Sequence, residues 1–202
     1  MVKLATCALA ISLFTYANAS EPPTHGHSRM GDAFDEGPRY HAYLMKGIPK
    51  IDFPIATTNS LAQKFFNQGV GQLHGFWYLE AERSFRQVAA LDPKCAMAYW
   101  GMAKANANNE KRAKIFISKA EGLKAGAGEK HREWITCESE FASSEKPQKG
   151  KMKSYLVRLE ALSKKYPNDI ELKAFLALEQ WEEKGISGKS TEEIDKLMNE
   201  VL

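Results

Sequence analysis

The sequence predicts an all-α fold, an array of helix–turn–helix units stacked side by side. Three observations predict it. Phe65-x-x-x-Gly69, Glu80-Ala81-x-x-x-Phe85-x-x-Val88 and Leu91-Asp92-Pro93 set aromatic, small and turn residues at the intervals of a two-helix unit. The pattern then returns at Tyr99-x-x-Met102-Ala103 and Ala113-x-x-x-Ile117-x-x-Ala120-x-x-Leu123. A unit of about 34 residues built this way cannot bury its own apolar face, so it stacks on neighbours and forms an open array instead of a closed catalytic domain.

Residues 1–19 read as a secretory signal peptide. Met1-Val2-Lys3 is a short positive start, Leu4 to Tyr16 is an almost unbroken apolar run, and Ala17-Asn18-Ala19 is a small-x-small cleavage site, with Ser20 the new N-terminus. The run is too short to span a bilayer, and no later segment is apolar enough to do so. The mature protein is expected outside the cytoplasm, secreted or periplasmic, without membrane insertion. Residues 20–58 read as a flexible tether followed by an N-terminal cap. Pro22, Pro23, Gly26, Gly31 and Gly37 leave little to bury up to about residue 36. Tyr40 to Met45 reads as a short helical turn, and Ile51-Asp52-Phe53-Pro54-Ile55 as an extended lead-in, because proline forces extension on the residue before it. Phe53 and Ile55 are expected to cover the exposed apolar end of the first repeat.

The repeat domain is expected over 59–202, in units of about 59–93, 94–126, 129–167 and 168–202. Ser60-Leu61-Ala62-Gln63 reads as a capping box opening a helix to about Leu73, interrupted by Gly75. A second helix runs from Trp77 to Leu91, and Asp92-Pro93 stops it, with aspartate as cap and proline at the first position of the next helix. The second unit turns at the Asn-rich run 106–109 and ends at Gly126 and Gly128. Trp134-x-x-Cys137-x-x-x-Phe141 opens the third, which is split by a loop over 142–150 and closes at Tyr166-Pro167. The fourth has a helix from about Ile170 to Glu183, a turn at 185–188, and the capping box Ser190-x-x-Glu193 before Ile194, Leu197 and Val201. Nothing polar covers that last helix, so the chain reads as the N-terminal portion of a longer or truncated protein.

Phe65, Gly69, Ala81, Phe85 and Asp92-Pro93 together resemble the tetratricopeptide repeat, which begins W-x2-L-G-x2-Y and ends A-x3-F…P. The resemblance spans roughly 60–202. It is strong in the first copy and loose in the last two. Gln68 and Gln72 stand where leucine and tyrosine are usual, and Glu138 where a small residue is usual. The stretch from Asp32 through Ala113 also resembles secreted bacterial repeat proteins of no named activity. The resemblance implies a right-handed superhelical solenoid in which Phe65, Gly69, Ala81, Phe85, Pro93, Tyr99, Ala103, Ala113, Ala120 and Pro167 pack the repeats. It also implies a concave groove lined by first helices, where Phe66, Val70, His74, Trp100, Lys104, Leu178 and Trp181 would meet a peptide or partner protein. Aromatics in such a groove are hot-spot material; the alternative is that Trp100 and Trp181 are helix-packing residues, which aromatics at helical spacing more often are. Lysine and asparagine are usual where repeats of this kind clamp a terminal carboxylate, and Phe66 and Val70 offer no such donors.

Composition narrows the function further. With 28 basic and 25 acidic residues, intermixed, the net charge is +3 and no concentrated basic face exists for nucleic acid. No serine, cysteine or threonine sits in a recognisable nucleophile turn, and no phosphate-binding glycine loop occurs. His25-Gly26-His27 with Met30 is the one motif suited to a soft metal, and two histidines on a floppy tail more often hold none. Cys95 and Cys137 fall at apolar helical positions, free or paired. No cofactor is expected. The sequence points to a secreted, non-catalytic binding or scaffolding module for a protein or peptide, with no oligomeric state indicated. The alternative is the recruiting or dimerising arm of a longer secreted enzyme or redox protein.

Overall fold

The computed structural model describes residues 37, 38 and 40–201. The residues read as a signal peptide, most of those read as a tether and the His25–Met30 motif lie outside them. The described residues contain nine α-helices and no strand: α1 Ser60–His74, α2 Tyr78–Leu91, α3 Ala96–Ala105, α4 Glu110–Leu123, α5 Glu129–Ser143, α6 Gln148–Lys165, α7 Ile170–Glu182, the single turn α8 Lys184–Ser187, and α9 Thr191–Asn199. A 3-10 turn, Lys124–Gly126, leads from α4 to α5. Consecutive helices from α1 to α7 pack as neighbours joined by short connections, and α7 pairs with α9 across α8. α1 also touches α3, and α3 touches α5, while α5 meets α7 through the rings of Trp134 and Phe175.

Helix ends follow local chemistry, with three departures from expectation. Asn59, not Ser60, caps α1, its Oδ1 accepting from the N–H groups of Leu61 and Ala62, which frees Gln63 for another task. Asp92 does not cap α3, which starts only at Ala96. Its side chain instead accepts from Lys94 N–H and from the Thr57 hydroxyl, holding Asp92–Cys95 as a turn. The loop between α5 and α6 narrows to residues 144–147 because both helices run into the stretch read as loop. Elsewhere Asn109 and Asp169 accept from Arg112 and Leu172 N–H, and Ser190 and Glu193 form the reciprocal capping box that the sequence shows.

The core grows from one ring. Phe85 on α2 is fully buried, and the chain leaves room for it with two glycines. A Cβ at Gly69 would stand 2.7 Å from the ring, and one at Gly101 2.5 Å. Phe65, Ala81, Tyr99, Ala103 and Ala120 are buried around this seam, while Ala113 is half-buried. Pro93 and Pro167 are exposed in turns, so they interrupt the chain between pairs without filling the core. Between pairs, Glu82 of α2 is buried against Arg86, Arg112 of α4 and Asn106, with Glu82 Oε1 2.8 Å from Arg86 and Asn106 Nδ2 donating to Glu82 Oε2 at 3.0 Å. In sequence these are ordinary charged and polar residues. Only the stacking of α2 on α3 and α4 makes them interior.

No helical turn forms at residues 40–45. Residues 41–58 carry neither helix nor strand, and they run along α1 in the opposite direction to it. Gly69→Ala and Gly101→Ala are each expected to lower stability by about 1–3 kcal/mol, since Phe85 cannot retreat. Gly122→Ala, with nothing within 4 Å, should be neutral or stabilising by up to about 1 kcal/mol. Urea denaturation of the three variants decides; equal effects would contradict this packing.

Candidate functional site

The face shared by α1, α3, α5 and α7 is where the groove was expected, and the structure fills its centre. Phe66, Val70 and Trp100 are wholly buried. Phe53, from the segment before α1, inserts its ring among them, 5.2 Å from the Phe66 ring, 6.1 Å from Trp100, 5.3 Å from His131 and 5.5 Å from Trp134. Phe175 of α7 closes the far side, edge-on to Trp100 and Trp134. These three expected groove residues therefore line an occupied interior. Phe53 reaches much further than a cover over the first repeat would.

Two glutamines hold the segment that carries Phe53. Gln63 donates to the Phe53 carbonyl at 2.8 Å and accepts from Ile55 N–H at 2.9 Å. Gln68 donates to the Tyr43 carbonyl at 2.9 Å and accepts from Met45 N–H at 2.7 Å. Each amide thus takes the C=O of one residue and the N–H of the next but one, as a neighbouring strand would. Asn67 adds a bond to the Ile51 carbonyl and accepts from Gln63. Gln72 reaches Met45 Sδ and accepts from Ser84, which also receives a bond from Gln68.

Lys104 lies on the same layer but in a charged pocket of about 280 Å3. Its ammonium is 2.6 Å from Glu179, 3.7 Å from Glu138 and 3.4 Å from the Tyr155 hydroxyl, which donates to Glu138 at 2.8 Å. Burial by itself would lower the Lys104 pKa, but Glu138 and Glu179 outweigh it and hold the ammonium above its ordinary range. Burial, with Glu179 nearby, raises the Glu138 carboxyl against the opposing pull of Lys104. Glu138 is the residue that departs from the small side chain usual in the repeat, and here it is an ion-pair partner.

His74, Leu178 and Trp181 come together. His74 Nε2 is 2.8 Å from Glu171 and its ring lies tilted against Phe175 at 4.9 Å, tying the end of α1 to the start of α7. Beside this tie lies a cleft of about 620 Å3 lined by His74, Phe76, Ile170, Leu178, Trp181 and Met198. Trp181 is 62% exposed and Phe76 53%. Phe76 ends α1 in a left-handed conformation, φ 59°, where Gly75 was expected to make the break. Its N–H reaches the Leu73 carbonyl and that of Trp77 reaches Gln72, the two bonds of a Schellman ending, whose left-handed position is usually glycine. Sequence reading passed over Phe76, although three successive aromatics in an inter-helix turn, Phe76-Trp77-Tyr78, were the available signal.

Both cysteines are free and buried, and burial pushes the thiols up, Cys95 to about 11 and Cys137 to about 12. Among the described residues no group of histidine, cysteine, aspartate and glutamate side chains is placed to hold a metal ion, and no helix is long and apolar enough to cross a membrane. Compared with protein-family models, curated proteins and solved structures, the chain matches none.

Burial, reinforced by the Lys130 ammonium and opposed by Asp169, lowers the His131 pKa from 6.5 to about 4. Unfolding lets the ring take up a proton between those values. The neutral ring therefore contributes fully above pH 6.5, on the order of 3 kcal/mol, and that contribution is lost as pH falls toward 4. His131→Phe should flatten this limb of the stability–pH curve; an unchanged slope would contradict the assignment. Lys104→Met leaves two carboxylates facing each other in a dry site and should cost about 3–5 kcal/mol by chemical denaturation. Adding Glu138→Gln and Glu179→Gln should recover most of it.

Proposed function

We propose that the chain is a non-catalytic binding or scaffolding module, its helix pairs stacked as a tetratricopeptide-like, right-handed solenoid that is secreted after loss of residues 1–19. It holds a protein or peptide partner in the cleft between the end of α1 and the α7–α9 pair. The sequence pattern supports the repeat identity, and the run of pairwise contacts from α1 to α9 is compatible with it.

The observation that carries the reading is Phe76. A large apolar side chain sits exposed, in a backbone conformation that favours glycine, at a helix end where glycine would cost less. Among the described residues its ring meets one other aromatic, Tyr78, edge-on at 6.3 Å, and a residue that breaks the local rule for so little packing points to use by something outside the fold. Trp181, Ile170 and Met198 stand exposed around the same cleft, and clustered exposed apolar side chains mark interaction sites. Recognition would be by shape and apolar contact, with His74 and Glu171 as polar markers at the rim.

Phe76→Gly separates packing from function because its two effects have opposite signs. Stability should rise by roughly 0.5–1 kcal/mol, while affinity for partners captured from the secreted fraction should fall. Combined with Leu178→Ala and Trp181→Ala, the loss should be about thirtyfold or more. Unchanged affinity for every captured partner in the triple variant would refute the cleft as the binding site.

A further inference from the structure

The segment carrying Phe53 meets the first-helix layer as a ligand meets a site. Its grip is almost entirely main-chain: Gln63 and Gln68 each clamp a C=O and the N–H two residues on, and Asn67 takes one more carbonyl. Such clamps read any extended backbone. Only Ala42, Phe53 and Ile55 are buried between residues 40 and 58, while Tyr40, Tyr43 and Leu44 remain exposed. One side chain, Phe53, supplies the deep anchor.

The chamber around that anchor is not built as a plain hydrocarbon core. Trp100 and Trp134 are fully buried and His131 nearly so, yet the indole Nε1 of each tryptophan and Nε2 of His131 have no hydrogen-bond partner among the described residues. Three orphaned nitrogens on the rings that surround one phenyl ring are unusual, because buried polar atoms are normally paired. The Lys130 ammonium also lies 5.5 Å from the Phe53 ring centre. An interior selected only for stability would not keep polar groups in surplus around a phenyl ring.

We infer that residues 43–55 are a tethered occupant of a peptide site, and that an extended peptide carrying a phenylalanine displaces them. The site comprises Gln63, Asn67 and Gln68 as main-chain clamps and Phe66, Trp100 and Trp134 as the aromatic chamber. The inference concerns this inner chamber, not the outer cleft, and it stands or falls without it. Because the tether holds its own occupant at roughly millimolar effective concentration, outside peptides meet competition until the segment lifts.

The test is to insert a protease site between Ala56 and Thr57 in the full chain, cut the folded protein, and add labelled peptide of residues 43–56. The labelled peptide should replace the severed segment with helical circular dichroism unchanged. Its Phe53→Ala form should bind about thirtyfold or more weakly. The uncut chain should bind the peptide about tenfold or more weakly than the cut one. A severed segment that never exchanges, one that leaves only as helicity is lost, or binding indifferent to Phe53 would overturn the inference. Should the insertion prevent folding, amide exchange on the unmodified chain decides. Met45 and Ile55 N–H should exchange faster than the centres of α1 and α3. Exchange only through global unfolding would make the segment a structural cap.

Discussion

A phenyl ring from a stretch with no regular structure holds the centre of this molecule. Phe53 touches side chains of α1, α3 and α5, and the tryptophans it rests on meet Phe175 of α7. Burying such a ring is worth about 1.5–3 kcal/mol, and its edge-on partners add about 0.5–1.5 kcal/mol beyond area. Without it, four first helices would face an aromatic hollow with three unpaired ring nitrogens. Beyond it, His74 at the end of α1 meets Glu171 at the start of α7.

A charged cluster joins the same helices. Lys104, Glu138 and Glu179 stand on α3, α5 and α7 and meet at one place. The Glu82 cluster does the same work one layer out, joining α2 to α4 through Arg112. Buried ion pairs of this kind are weak evidence of stability, since desolvation offsets much of their attraction. Their geometry is demanding, however: each cluster is satisfied at one relative placement of the helix pairs.

Much of the helical framework was legible in the sequence, because it depends on local rules. The Gly69–Phe85 contact, the Asn-rich turn and the Ser190–Glu193 box each follow from neighbouring residues or from one helix pair. The groove was less legible. The resemblance to the tetratricopeptide repeat puts Phe66, Val70 and Trp100 on a shared groove face, but could not show that Phe53, from the segment before α1, occupies it. Gln68 and Gln72 were visible as departures from the repeat pattern, and the structure gives them a role: both reach the segment around Met45. Lys104 reads as a groove residue and Glu138 as a departure from the repeat pattern; their ion pair was not legible because Glu179, the third member, lies a whole repeat away or more. Local rules also favoured Gly75 over Phe76 as the left-handed residue, and there the chain does not follow them.

The account rests on the seat of Phe53, and nuclear Overhauser contacts in solution test it most directly. Cross-peaks from the Phe53 ring protons to the indole protons of Trp100 and Trp134, with ring shifts far from those of a free peptide, are what the structure requires. A Phe53 ring with unstructured-peptide shifts and no contact to either indole, in a chain whose helices are intact, would contradict it.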